Sequence, residues 1–303
     1  MSGVFDTTPV LDCAGRTLRL DRVRVMGIVN VTPDSFSDGG CHADTEAAVA
    51  QGLRLAAEGA DLLDIGGEST RPGAQPVPAA EQMRRILPVI ERLQRETAVP
   101  LSVDTGDPAV MRAAVAAGAG LINDVRALRT EGALETAAAL GVPVCVMHMQ
   151  GSPADMQQAP HYDDVVEDVH RFLAERLFAC ELAGIPKQHV LVDPGFGFGK
   201  TLAHNLALLR ALPRFAALGA GVLVGLSRKG MIGALSGDAP PAQRVVGSAA
   251  AALLAAQRGA AIVRVHDVAA TREALAVWLA LEEAPQRATA PRAAPPRWPD
   301  DDD

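Results

Sequence analysis

The stretch "EAAVAQGLRLAAEGADLLDIGG", Glu46 to Gly67, holds a complete architectural unit. Its first half is rich in Ala and Leu, which enter a helix at little entropic cost. Gly59 then stands where a left-handed residue closes a helix, a conformation that a side chain disfavours. Leu62, Leu63 and Ile65 follow as a short apolar run interrupted by one acid, Asp64. A strand that is apolar on both faces belongs in a parallel sheet covered on both sides. An acid near its end makes sense only if the strand tip faces something polar.

The unit recurs. Apolar runs stand at Val23–Val31, Asp61–Gly67, Pro100–Thr105, Gly120–Val125, Pro143–Met149, His189–Gly195, Gly221–Ser227 and Ala261–Asp267. Helical stretches such as "PAVMRAAVAAGA" separate them, and Gly118, Gly141 and Gly259 repeat the stop seen at Gly59. Eight such units in 303 residues predict an α/β fold, the (β/α)8 TIM barrel, which takes about 250 residues. An open doubly wound sheet is the alternative. The segment "VLDCAGRTLRLDR" reads as an N-terminal hairpin turning at Ala14-Gly15 and placed to plug the barrel bottom. One domain is expected over residues 1–283, its strands beginning near residue 23, followed by a disordered C-terminal tail, 284–303, where Trp298 has no core to join.

Composition excludes several functions. The chain is 49% hydrophobic and carries a net charge of −8 with a pI of about 5.4. It has no long basic run, so nucleic acid is not its expected partner. It has no apolar run of about 18 residues for a membrane span and no secretory-type apolar core at its start. A cytoplasmic protein is expected. Cys13, Cys41, Cys145 and Cys180 are widely spaced, with no CxxC pair, and read as reduced thiols.

In a barrel, chemistry gathers at the C-terminal ends of the strands. Those ends carry Asn30, Asp64, Asp104, Asn123 with Asp124, His148, Asp193, Ser227, and Arg264 with His266. Any one alone is more often a loop cap, but the fold brings all of them to one rim. Asp104, Asn123 and Asp193, with Lys229 just beyond the seventh strand, suit a flat heterocycle with amidine-like N–H donors and a ring carbonyl. Arg71, Arg264 and His266 suit phosphate or diphosphate. Asn30 offers one neutral oxygen to a hard cation that keeps most of its waters, as Mg2+ on a diphosphate does. A heterocycle side and a diphosphate side point to transfer of a group from a pyrophosphate ester. Two long loops rich in Gly, Pro, Ser and Asp, "NVTPDSFSDGGCHADT" and "GGESTRPGAQPVP", are candidate lids.

The stretch "VLVDPGFGFGKT", Val190 to Thr201, suggests a phosphate-cradling loop, but the spacing fails. The motif needs Gly five residues before Gly199, and that residue is Pro194. A nucleotide-driven machine is set aside on this count.

The blocks "MGIVNVTPDSFSDGG", "GADLLDIGGESTRPGA", "LSVDT", "INDV", "VDPGFGFGKTLAHN", "GLSRKGMIG" and "AIVRVHDV" resemble, in order and spacing, those of the dihydropteroate synthases. The resemblance covers about Val23 to Trp278. It implies a barrel transferase of folate biosynthesis, usually a homodimer and a sulfonamide target. Such an enzyme joins 6-hydroxymethyl-7,8-dihydropterin diphosphate to p-aminobenzoate with release of pyrophosphate. By the same resemblance Asp104, Asn123, Asp193 and Lys229 bind the pterin, Asn30 binds Mg2+, and Arg264 and His266 meet the diphosphate. Phe36 and Asp38 lie on the first loop, Thr70, Arg71 and Pro72 on the second, and Phe198 and Lys229 wall the aryl-amine pocket. Met147 and Ser227 are taken as further substrate contacts, and Lys229, Asp193, Arg71 and Asp38 as the catalytic residues. Lys200 and Thr201 are expected to hold the turn and begin a helix. One departure stands out. Family members commonly carry Ser or Arg after "SRK", whereas here Gly230 offers only backbone N–H groups to the p-aminobenzoate carboxylate. Another pterin-binding barrel enzyme and a catalytically silent paralogue remain as rivals. The first would lack the intact loops, and the second should have lost loop or anion residues.

Overall fold

The glycine stops act as the sequence requires: Gly59, Gly118, Gly141 and Gly259 have φ of 95°, 115°, 69° and 92°. They close helices so that each following strand can start at once. The computed structural model describes residues 8–31, 40–70, 73–153 and 155–283. The expected tail, with Trp298, lies outside them.

Two short strands open the described chain, β1 (Val10–Cys13) and β2 (Arg16–Arg19), paired antiparallel with Cys13 opposite Arg16. Ala14 and Gly15 both have positive φ, 54° and 83°, the pairing that a two-residue hairpin needs to match strand twist. Eight parallel strands follow: β3 (Arg24–Asn30), β4 (Leu62–Gly66), β5 (Leu101–Asp104), β6 (Leu121–Asp124), β7 (Val144–Met147), β8 (Val190–Asp193), β9 (Gly221–Val224) and β10 (Ala260–Val265). β10 pairs with both β9 and β3, which closes the sheet into a barrel and excludes the open sheet.

The helices are α1 (Gly40–Ala57), α2 (Ala79–Glu96), α3 (Pro108–Ala116), α4 (Ala133–Leu140), α5 (Val165–Leu182), α6 (Leu202–Arg210), α7 (Gly230–Leu235), α8 (Val245–Ala256) and α9 (Val268–Glu283). They cover the barrel with stripes such as Ile86, Val89, Ile90 and Leu93 of α2, at the helical period. The first long loop is shorter than expected: the backbone is already helical at Gly40, so Gly40–Thr45 belong to α1.

Two packing layers result. The larger lies between strands and helices. The smaller fills the lower barrel with Met26, Leu62, Leu121, Cys145, Leu191, Leu223 and Ile262, capped by Leu11, Cys13 and Leu18 of the hairpin. The hairpin is therefore the bottom plug. Arg16 ties it down through bonds of 2.7 and 2.6 Å to the carbonyls of Val99 and Gln94. Cys13, Cys145 and Cys180 are buried free thiols, and burial pushes Cys13 up to about 12 and Cys180 to about 11. Among the described residues no helix is long and apolar enough to cross a membrane.

Candidate active site

Two residues above four of the apolar members of the lower layer, the alternation of a strand brings a polar side chain to the same inner face. Leu62 is followed by Asp64, Leu121 by Asn123, Leu191 by Asp193 and Ile262 by Arg264. Strand order then sorts them. β4, β5, β6 and β8 contribute Asp64, Asp104, Asn123 and Asp193. The arc β9–β10–β3 brings Ser227, Arg264, His266 and Asn30 side by side.

At the floor, Arg264 reaches across the barrel between two carboxylates. Its Nε donates to Asp64 Oδ2 at 2.6 Å and its Nη2 to Asp104 Oδ2 at 2.9 Å. Asn123 Nδ2 also donates to Asp64 Oδ2, at 3.1 Å. Burial, opposed by Arg264, pushes the Asp104 carboxyl up to about 7. Asp193 is raised for the same reason, with Lys229 and the Gly195 N–H at 2.7 Å opposing. Asp124 has a different job: it accepts from Arg126 N–H and Leu128 N–H, at 2.8 and 2.7 Å, and holds its own turn.

Lys229 is half-buried beside the floor. Its ammonium donates to the Phe196 carbonyl and lies 4.6 Å from the Phe198 ring centre. Burial lowers it to about 8, with Asp193 opposing. The preceding residue explains its aim. Arg228 is left-handed, φ 58°, a conformation costing on the order of 1 kcal/mol. Asp267 grips its guanidinium at 2.5 and 2.9 Å, and Ser248 Oγ accepts its N–H at 2.9 Å.

The glycine-rich turn after β8 is built round Lys200. Its buried ammonium donates to the carbonyls of Gly195 and Phe198, both at 2.9 Å, and lies 2.9 Å from His148 Nδ1. Burial lowers Lys200 to about 7 and His148 to about 3, so the imidazole is neutral and accepts. Thr201 caps α6 in a reciprocal box with His204. The expectation for Lys200 and Thr201 holds. From outside, Asn205 Oδ1 accepts Gly197 N–H at 2.8 Å and Gln157 donates to Gly197 O at 2.6 Å. Met147, Met149, Met156 and Val125 pack with Phe198 as an apolar wall.

The remaining expected residues divide. His266 Nδ1 lies 3.0 Å from Ser227 Oγ, so these two meet. Arg264 joins the carboxylates rather than standing apart as a free cation. Thr70 is half-buried beyond β4. Asn30 ends β3, half-buried, and no described residue bonds its carboxamide. Among the described residues no three His, Cys, Asp or Glu side chains gather to hold a metal. Phe36, Asp38, Arg71 and Pro72 lie outside the described residues. Sequence reasoning gave Asp64 no role beyond its strand tip, although two of the expected residues hang on it. Its depth left no signal in the chain, because period sets a face and not a level.

A closed barrel whose rim sets a row of acceptors against a cation–aromatic wall defines an α/β-barrel enzyme for a flat nitrogen heterocycle. Residues 26–266 match the family model described as "Pterin binding enzyme". The chain belongs to that family, and within it to the dihydropteroate synthases. It is 51% identical over 263 residues to the dihydropteroate synthase of Escherichia coli strain K12, covering 87% of this chain and 93% of that one. The structure of Xanthomonas albilineans dihydropteroate synthase with 4-aminobenzoic acid superposes with a TM-score of 0.88 at 68% identity, over 92% of this chain and all (100%) of that one. The same enzyme in complex with 7,8-dihydropteroate gives 0.84 at 65% identity, over 91% and 100%.

Proposed function

We infer that this chain condenses 6-hydroxymethyl-7,8-dihydropterin diphosphate with p-aminobenzoate to give 7,8-dihydropteroate and pyrophosphate. The observation that carries the reading is the floor of Asp104, Asn123 and Asp193 beside the wall of Lys229 and Phe198. Acceptors meet the N–H edge of the pterin, and Lys229 donates to its carbonyl side. The relatives from Xanthomonas albilineans that hold 4-aminobenzoic acid and 7,8-dihydropteroate support it.

The C–O bond between the pterin methylene and the diphosphate breaks, and its electron pair leaves with the diphosphate. The methylene cation spreads its charge into the ring, where the carboxylates of Asp104 and Asp193 favour it electrostatically. The aryl amine nitrogen then forms the C–N bond and releases one proton. Arg71, Arg264 and His266 are assigned to the diphosphate, and Asp38 and Arg71 to closing the site against water. Phe36, Pro72, Phe198 and Met147 frame the aryl amine, and Thr70 and Ser227 contact the substrates. Mg2+ arriving on the diphosphate would be held by Asn30 and would add positive charge to the leaving group. We also assign the enzyme to the cytoplasm, on the sequence alone, and to a homodimer. Exposed Val246, Leu254, Val277 and Leu281 on α8 and α9 offer an apolar face for the second copy.

The test is release of pyrophosphate. It should require both the pterin diphosphate and p-aminobenzoate. Release from the first substrate alone at the same rate, or none with both, would overturn the assignment.

A further inference from the structure

Asp64 takes no part in the reaction set out above, yet it touches two groups that do. It is fully buried on β4. Its Oδ2 accepts from Arg264 Nε at 2.6 Å and from Asn123 Nδ2 at 3.1 Å. Arg264 already has a carboxylate partner in Asp104, at 2.9 Å, so a second is not needed to neutralise it. What only Asp64 supplies is a contact to the carboxamide. The two ends of a carboxamide are nearly equal in shape and opposite in chemistry: one donates, the other accepts. A carboxylate can only accept, so it fits one end alone. With Nδ2 turned to Asp64, the oxygen of Asn123 must face elsewhere.

We propose that Asp64 is a positioning residue that locks Asn123 in one amide orientation, presenting Oδ1 as an acceptor, and so sets which heterocycles the floor accepts. The proposal rests on the pterin reading above and deepens it. The hydrogen bond to Asp64 also spends one Nδ2 proton and leaves the other to a ring nitrogen. A floor of fixed polarity favours a ring whose matching edge carries an exocyclic amine, and rejects one that places a carbonyl there. A site built to bond a donor leaves its own buried acceptor unpaired when the donor is missing.

The experiment compares 6-hydroxymethylpterin with 6-hydroxymethyllumazine, in which a carbonyl replaces the 2-amino group. Dissociation constants are measured by calorimetry on the full chain. The unmutated protein should prefer the pterin. Asp64→Asn offers both a donor and an acceptor to Asn123, so the carboxamide can turn. The preference should fall about tenfold or more, the effect of one hydrogen bond. Ser102→Ala is the control: Ser102 faces Asp64 across the β4–β5 pairing and bonds neither Asn123 nor Arg264. It should leave the preference alone. A folded Asp64→Asn protein with an unchanged preference overturns the assignment. Should that variant fail to fold, the unmutated protein still decides. By NMR one side-chain amide proton of Asn123 should be shifted downfield and slow to exchange. A freely rotating amide overturns the proposal. If the unmutated protein does not bind the pterin at all, the functional reading falls with it; an unchanged ratio removes Asp64 alone.

Discussion

At the scale of single residues, the site opposes binding to stability. Burial holds Lys229 at about 8, whereas an exposed lysine titrates near 10.5. Between those values the unfolded chain keeps a proton that the folded chain has lost. Lys229 therefore makes folding more favourable as pH rises through this window, and less so as pH falls through 8. Ligand binding has the opposite sign, since the ammonium is the donor. Affinity for a pterin analogue should fall as pH is raised past about 8. In Lys229→Met it should be weaker and lack that limb, which a calorimetric pH series will show. Two glycines make a second contrast. A Cβ on Gly195 would lie 1.8 Å from the His148 carbonyl oxygen, at φ +71°. Gly195→Ala should cost about 3 kcal/mol or more in denaturant titration. Gly230 has nothing within 4 Å, so Gly230→Ser should change stability by less than about 0.5 kcal/mol. Its hydroxyl should lower the KM for p-aminobenzoate.

At the scale of elements, the turn from Gly195 to Gly199 is held from within by a buried ammonium as well as by the packing of Phe196. Lys200→Met keeps the volume and removes the donor to two carbonyls and to His148. Each buried acceptor left bare costs about 1–3 kcal/mol. The variant should melt several degrees lower and show a raised KM for p-aminobenzoate, because Phe198 loses its seat. Pterin affinity should hold, because Asp193 is fixed by β8. Steady-state kinetics with each substrate varied in turn separates the two. The strands and their glycine stops were legible in the chain, because a parallel strand must be apolar on both faces and each αβ turn needs a positive φ. The rim residues were legible as strand ends for the same reason. Depth was not. Period places a side chain on a face without saying how far down the barrel it sits, so Asp64 read as one tip among many. Nor was the pairing of Arg264 with Asp64, 200 residues apart in the chain. A cation next to His266 reads in isolation as an anion site, with no sign of the two carboxylates it also joins. The start of α1 at Gly40 was hidden by a polar stretch that looks like a loop.

At the scale of the whole molecule, closure leaves two ends and the hairpin takes one. Its fit is tight: a Cβ on Gly120 would fall 2.3 Å from the backbone of Cys13. Asn123 and Asp193, assigned above to the pterin, are strand residues, whereas Phe198, assigned to the aryl amine, stands in the loop beyond β8. On that assignment the heterocycle lies deeper than the aryl amine. Binding should be ordered, the pterin first. Calorimetry should show weak p-aminobenzoate binding to the free enzyme and clear binding once Mg2+, pyrophosphate and a pterin analogue are present. Equal affinity in both conditions would contradict the order. The plug has a consequence for departure as well as entry. A bottle with a sealed base empties only through its neck, so whatever arrives last must go first. An aryl-amine mimic seated in the neck is then a cork: without touching the floor, it should lengthen the residence of the pterin trapped beneath it.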